Sequence, residues 1–256
     1  MPVEFHHIIF LCIAAFAAGF VDAIVGGGGL IQTPAALIIL QAHPVAAVLA
    51  STKIPSFSGT AFAAAQYVKK VPMRWNLLAL LCTIAFFSAY AGSQLLLYVS
   101  NSFMKPVLLA VLSLVAIYTY VKKDFGQQTQ RTIVPKKELL YTVLISSVIG
   151  FYDGFIGPGT GSFLILAFIA LLGFDFLQAS AHAKMVNLAT NLGSITLFII
   201  NGKIIWLAAL PMAVCNALGG FLGARLAIAK GNKFIRVFFL IIVVATLLRF
   251  AWEMFI

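Results

Sequence analysis

The sequence predicts an all-α polytopic membrane protein made of two inverted-topology repeats. Each repeat is expected to hold three full transmembrane helices and one broken or re-entrant helix hairpin, about eight transmembrane elements in all. Three observations predict this. Of 256 residues, 62% are hydrophobic and 9% charged, more apolar surface than a soluble domain of this length can bury, so lipid must serve as solvent. A shift of 131 residues lays Gly19 to Trp75 on Gly150 to Trp206 without a gap. Most of the basic residues gather in short connections between apolar runs.

Uncharged or nearly uncharged runs of spanning length occur at Val45 to Val68, Asn76 to Val99, Phe103 to Val121, Ala179 to Ile200, Ile204 to Gly223 and Phe234 to Leu248. Each half also opens with an apolar helix that meets a glycine-rich break, VGGGGL at 25–30 and IGPGTGS at 156–162. The apolar pieces that follow, Leu30 to Leu40 and Phe163 to Leu172, are about 15 Å long as helices, half a bilayer, and read as the returning arms of hairpins. The repeat divides the chain into a first membrane unit at 1–121, a basic cytoplasmic linker at 122–138 and a second unit at 139–256.

The repeat is informative because of which residues match. Gly19, Phe20, Asp22, Gly26, Gly28, Lys53, Trp75 and Gly92 fall on Gly150, Phe151, Asp153, Gly157, Gly159, Lys184, Trp206 and Gly223. Shared Gly, Asp, Lys and Trp do not follow from filling spans with aliphatic residues. Trp75 and Trp206 suit helix ends at the headgroup level.

Charge placement orients the chain. Lys69, Lys70 and Arg74, then Lys122, Lys123, Arg131, Lys136 and Lys137, then Arg225, Lys230, Lys233 and Arg236 form three clusters that should all face the cytoplasm. They share one side only if each broken element crosses an even number of times. Each half then has an odd number of full spans, which inverts one repeat relative to the other and puts both termini outside an inner or plasma membrane. MPVEFHHIIF carries an acid and no Lys or Arg before its apolar run, which predicts a retained first helix rather than a cleaved signal.

Composition narrows the function classes. The net charge of +10 lies in loops rather than on a basic face with aromatic partners, so nucleic acid is not an expected partner. Cys12, Cys82 and Cys215 stand singly within apolar runs without metal-ligand spacing, and read as packing residues. No HExxH, P-loop or nucleophile–base pairing stands out, so neither an enzyme nor a cofactor is expected.

The candidate site residues follow from the cost of polarity at membrane depth. Lys53 and Lys184 lie mid-helix, where insertion costs on the order of 2.5–3.5 kcal/mol; each needs a watery cavity or a partner. On one helical stripe with Lys184 stand Asn187, Asn191 and Ser194, and with Lys53 stand Ser56 and Thr60. A helix starting after Gly28 and Gly29, or after Gly159, Thr160 and Gly161, offers unpaired N–H groups and a positive dipole end to an anion. Close helix packing is the alternative use of those glycines. Asp22 and Asp153 can neutralise the lysines, cap the hairpin backbone or exchange a proton. His182, two residues before Lys184, is a lesser coupling candidate or a packing residue.

The segments GFVDAIVGGGGLIQTP at 19–34 and GFYDGFIGPGTGSF at 150–163, each followed by a lysine-centred helix and a turn before Trp, resemble the TauE/SafE sulfite exporter family over nearly the whole chain. The resemblance implies a permease for a small anion, sulfite or an organosulfonate, moved outward. The first half carries Pro55 and Ser56 where the second has Val186 and Asn187, a departure from strict twofold symmetry. The expected function is thus a secondary carrier working by alternating access and open to ion coupling, with a passive anion channel as the alternative.

Overall fold

A computed structural model describes residues 5–100 and 135–255, with side chains through Phe238 except at position 236. The expected span Phe103 to Val121 and linker residues 122–134 lie outside the described residues. All regular structure among the described residues is helical. In order, the helices are α1 (Phe5–Val25), α2 (Gly29–Ile39), α3 (Val45–Val68), α4 (Trp75–Tyr98), α5 (Pro135–Phe155), α6 (Thr160–Leu172), α7 (Phe176–Ile200) and α8 (Trp206–Phe255).

Among the described residues, five stretches are long and apolar enough to cross a membrane: α1, α4, α5, α7 and Trp206–Ile235 of α8. Helix α3 has the same 24-residue length as α4, with its hydropathy diluted by Ser51, Thr52, Lys53, Ser56 and Thr60. Large apolar side chains such as Leu80, Phe87, Leu140, Leu144, Val148, Val214 and Leu218 remain exposed; lipid is the medium that suits them. The chain is a multi-pass membrane protein.

The half-helices are present at the expected places. Helices α2 and α6 have 11 and 13 residues, about 16 and 20 Å at 1.5 Å per residue. The arms before them are unequal to them: α1 and α5 have 21 residues each, enough to cover about 31 Å. As described, helix α5 takes in Pro135 to Glu138, four residues of the stretch read as linker.

Around Arg225 to Arg236 the sequence suggests a loop between two spans; the structure divides α8 there into two helices that meet at a kink on Gly231, at φ 70° and ψ −166°, so the connection is far shorter than a loop. A Cβ on Gly231 would meet nothing within 4 Å, so its backbone conformation rather than crowding calls for glycine.

Packing partners exchange between the halves. Helix α1 packs chiefly on α8 and α5 on α4, while α3 meets α8, α4 meets α7, and α3 and α7 meet each other. The close approaches exchange in the same way. A Cβ on Gly92 would come within 3.0 Å of the Phe151 carbonyl, and one on Gly223 within 3.0 Å of the Phe20 carbonyl. Small residues let membrane helices touch backbone to backbone, where dispersion rather than water expulsion holds them.

Candidate functional site

The two breaks meet at the centre of the bundle. Gly26 and Gly27 turn at φ 74° and 84° between α1 and α2, and Gly157 and Gly159 at 94° and 87° between α5 and α6. A Cβ on Gly26 would come under 3.0 Å from the backbone of Gly161 and Ser162. Ser162 Oγ donates to the Val25 carbonyl at 3.2 Å. The first-turn N–H groups of α2 and α6 are thereby gathered together, each carrying the positive end of a helix dipole.

The buried charges cross between repeats. Lys53 is the ninth residue of α3 and Lys184 the ninth of α7, roughly 12–14 Å along each helix. Lys53 Nζ donates to Asp153 Oδ1 at 3.0 Å and to the Asp153 carbonyl. Lys184 Nζ donates to Asp22 Oδ2 at 2.8 Å and to the Asp22 carbonyl. Each lysine thus satisfies a carboxylate and an end-of-helix carbonyl from the opposite half. An unpaired charge at this depth would cost several kcal/mol.

The surroundings of the two pairs differ. Asp22 Oδ1 accepts from the Gly28 N–H at 3.2 Å, while Asp153 Oδ1 accepts from Thr160 Oγ1 at 2.8 Å. The Lys53 side chain keeps 8% of its surface open and Lys184 none.

One cavity lies among these groups, lined by Gly28 and Gly29 of the first break, Gly159, Thr160 and Gly161 of the second, Lys53 and Ser56 of α3, Asn187 and Asn191 of α7, and both aspartates. The space open to the centre of a water molecule is about 40 Å³, a few times the ~10–15 Å³ that one ordered water needs. Lys184 and Thr60 are buried but do not line it. His182 stands apart, with Nδ1 2.8 Å from the Gln178 carbonyl and Nε2 accepting the Arg74 N–H at 3.2 Å.

That histidine contact has a counterpart. Ser51, which matches His182 in the repeat, accepts the N–H of Ile205, which matches Arg74, at 2.8 Å. Each lysine helix therefore caps the start of a helix in the other half. Arg74 adds a bidentate pair to Glu138, with Nη2 to Oε2 at 3.0 Å, and its guanidinium lies 5.8 Å from the Phe174 ring centroid.

Sequence reasoning missed Gln32, Thr33, Thr52 and Asn216, all of which line the cavity. Gln32 Nε2 donates to the Thr52 carbonyl at 2.9 Å and to Ser56 Oγ at 3.3 Å, and Asn216 Nδ2 donates to Gln32 Oε1 at 2.7 Å. The repeat places Phe163 and Ala85 opposite Gln32 and Asn216, so a search for matched polar positions passes over them. Their signal is the one that picked out the lysines, a polar side chain inside an apolar run.

A family model described as Sulfite exporter TauE/SafE matches residues 11–250. The chain belongs to the TauE/SafE family. Among its relatives, the probable membrane transporter protein ORF9 of Sinorhizobium sp is 36% identical over 249 residues, 96% of this chain and 93% of that one. The probable membrane transporter protein YfcA of Escherichia coli K12 is 33% identical, covering 88% of this chain and 82% of its own. A probable membrane transporter protein of Haemophilus influenzae is 33% identical, covering 89% and 88%. No solved structure matches this TauE/SafE chain. The family and these relatives make it a membrane transporter.

Proposed function

We propose that this transporter is a secondary carrier that binds one small anion, sulfite or an organosulfonate, in the cavity between the broken helices and exports it by alternating access. The observation that carries the reading is the reciprocal ion pairing of Lys53 with Asp153 and of Lys184 with Asp22 beside two facing helix starts. The four side chains cancel in formal charge. What remains is the positive ends of α2 and α6, each roughly half a charge, with Lys53 the cation that keeps surface open.

Size supports the same cargo. A cavity of about 40 Å³ for water-sized centres suits an ion of a few heavy atoms. Gln32, Asn187, Asn191, Ser56 and Thr160 line it with amide and hydroxyl groups.

The exchange of packing partners supports two inverted repeats in which one half rocks against the other about the cavity. In this arrangement the three basic clusters face the cytoplasm and both termini lie outside an inner or plasma membrane. With a negative interior, outward movement of an uncompensated anion gains roughly 2.3 kcal/mol per charge per 100 mV.

Counterflow in proteoliposomes tests the reading, with sulfite, sulfoacetate, sulfate and simple carboxylates as cargo. A carrier gives saturable uptake accelerated by the same anion inside. Unsaturable flux with single-channel currents would instead make the chain an anion channel.

A further inference from the structure

Buried carboxylate oxygens in native structures almost always have a donor, because leaving one without costs on the order of 1–3 kcal/mol or more. Asp22 obeys this, with Oδ1 held by the Gly28 N–H and Oδ2 by Lys184. Asp153 does not. Its Oδ1 takes both Lys53 and Thr160, while its Oδ2 is buried with no hydrogen-bond partner among the described residues. Asp153 is 3% exposed and lines the cavity. Two aspartates that match in the repeat thus differ at the cavity: the part-buried Asp22 has both carboxylate oxygens engaged, while the buried Asp153 keeps Oδ2 without a partner.

We propose that Asp153 is the proton-coupling group of this carrier, taking up one proton on Oδ2 as the anion enters the cavity and giving it back to water on the side where the anion leaves. The proposal rests on the anion-carrier reading above and adds the coupled ion. The only bond made and broken is O–H. With the proton absent, the second carboxylate oxygen repels an incoming anion. With the proton present, the O–H donates a hydrogen bond to it, and Lys53 is no longer neutralised by Asp153. Proton and anion each raise the other's affinity, as linkage requires.

The charged and titratable groups around Asp153 fit this role. Lys53 faces it from α3, Tyr152 adjoins it on α5, and α6 contributes the neutral Thr160. Asp22 lines the same cavity with its charge matched by Lys184. The consequence concerns the driving force. A monovalent anion moving with one proton carries no net charge, so flux ignores membrane potential: export then runs on the outward anion gradient in place of the voltage that favours an uncompensated anion, and an acidic exterior opposes it.

The test uses the full chain in proteoliposomes with a pH dye inside and the potential clamped by potassium and valinomycin. Methanesulfonate and sulfoacetate serve as probes because their ionisation is constant between pH 6 and 8. The expected result for methanesulfonate is lumen acidification at one proton per anion, rates independent of the clamped potential, and a half-saturation concentration that rises toward tenfold per pH unit at the alkaline end. Asp153→Asn should carry the anion without acidification and with rates that follow potential, while Glu138→Gln, which removes a carboxylate outside the cavity, should keep the proton-to-anion ratio of the parent.

Parent protein that moves methanesulfonate without protons, or Asp153→Asn that still acidifies the lumen, overturns the proposal and leaves the carrier reading intact. The stoichiometry of the parent decides the matter even if Asp153→Asn fails to fold. Failure of both sulfonates to move also overturns it, and failure of sulfite as well removes the carrier reading.

Discussion

Lys53 and Asp153 come from different repeats, 100 residues apart, and meet at 3.0 Å in the middle of the bundle. Lys184 and Asp22 reciprocate at 2.8 Å across 162 residues. Neither half of the chain can settle its own buried charge, so these pairs tie the repeats together at the depth where the helices break.

Neutralising one partner of such a pair strands the other. Lys53→Met or Asp153→Asn alone should each destabilise the protein by about 3–5 kcal/mol, and the double variant Lys53→Met/Asp153→Asn by clearly less than the sum. Thermal unfolding of purified protein in detergent reads this cycle. Additive losses would show that the pair is not coupled.

The contact between the breaks predicts a graded response to small side chains. Gly161→Ala places a methyl within 3.0 Å of Gly26 Cα, so it should lower the unfolding temperature more than Gly231→Ala, which meets no atoms and suffers only backbone strain of about 1–3 kcal/mol. Equal shifts would mean that the breaks can part freely.

The cap on Arg74 predicts that His182→Ser, which installs the residue its repeat mate already uses, is tolerated better than His182→Phe, which offers no acceptor. Loss of a helix cap costs about 0.5–2 kcal/mol. Unfolding temperatures of the two variants check the order, and a reversed order would remove His182 from the capping role.

Cavity lining predicts chemical access. In a background with Cys12, Cys82 and Cys215 replaced by serine, Ser56→Cys should react with a small water-soluble thiol reagent and be protected by sulfite. Ser194→Cys, on a side chain with no exposed surface and away from the cavity, should stay unlabelled. Reaction of both, with no protection, would place the cavity elsewhere.

Much of this was legible in the sequence. The two breaks, the half-helices after them and the need of both lysines for partners follow from the price of polarity in lipid and from the repeat. The choice of partner does not, because Asp22 and Asp153 are equally near Lys53 in pattern and only tertiary packing selects the one across the interface. Gln32 and Asn216 escaped for the opposite reason: the repeat hides positions where the halves differ. The break in α8 was legible in kind, since a basic, glycine-containing stretch reads as a connection between spans, but its contraction to a kink at Gly231 was not.

The central claim is that the cavity beside Lys53 carries the anion. Sulfite counterflow in proteoliposomes tests it most directly, comparing the parent chain with Lys53→Ala, Lys184→Ala and the control Lys203→Ala, each shown to be folded by its elution and unfolding profile. The account predicts near-complete loss of flux in Lys53→Ala, loss in Lys184→Ala through the broken Asp22 pair, and parent-like flux in Lys203→Ala. Parent-like flux in both Lys53→Ala and Lys184→Ala contradicts it.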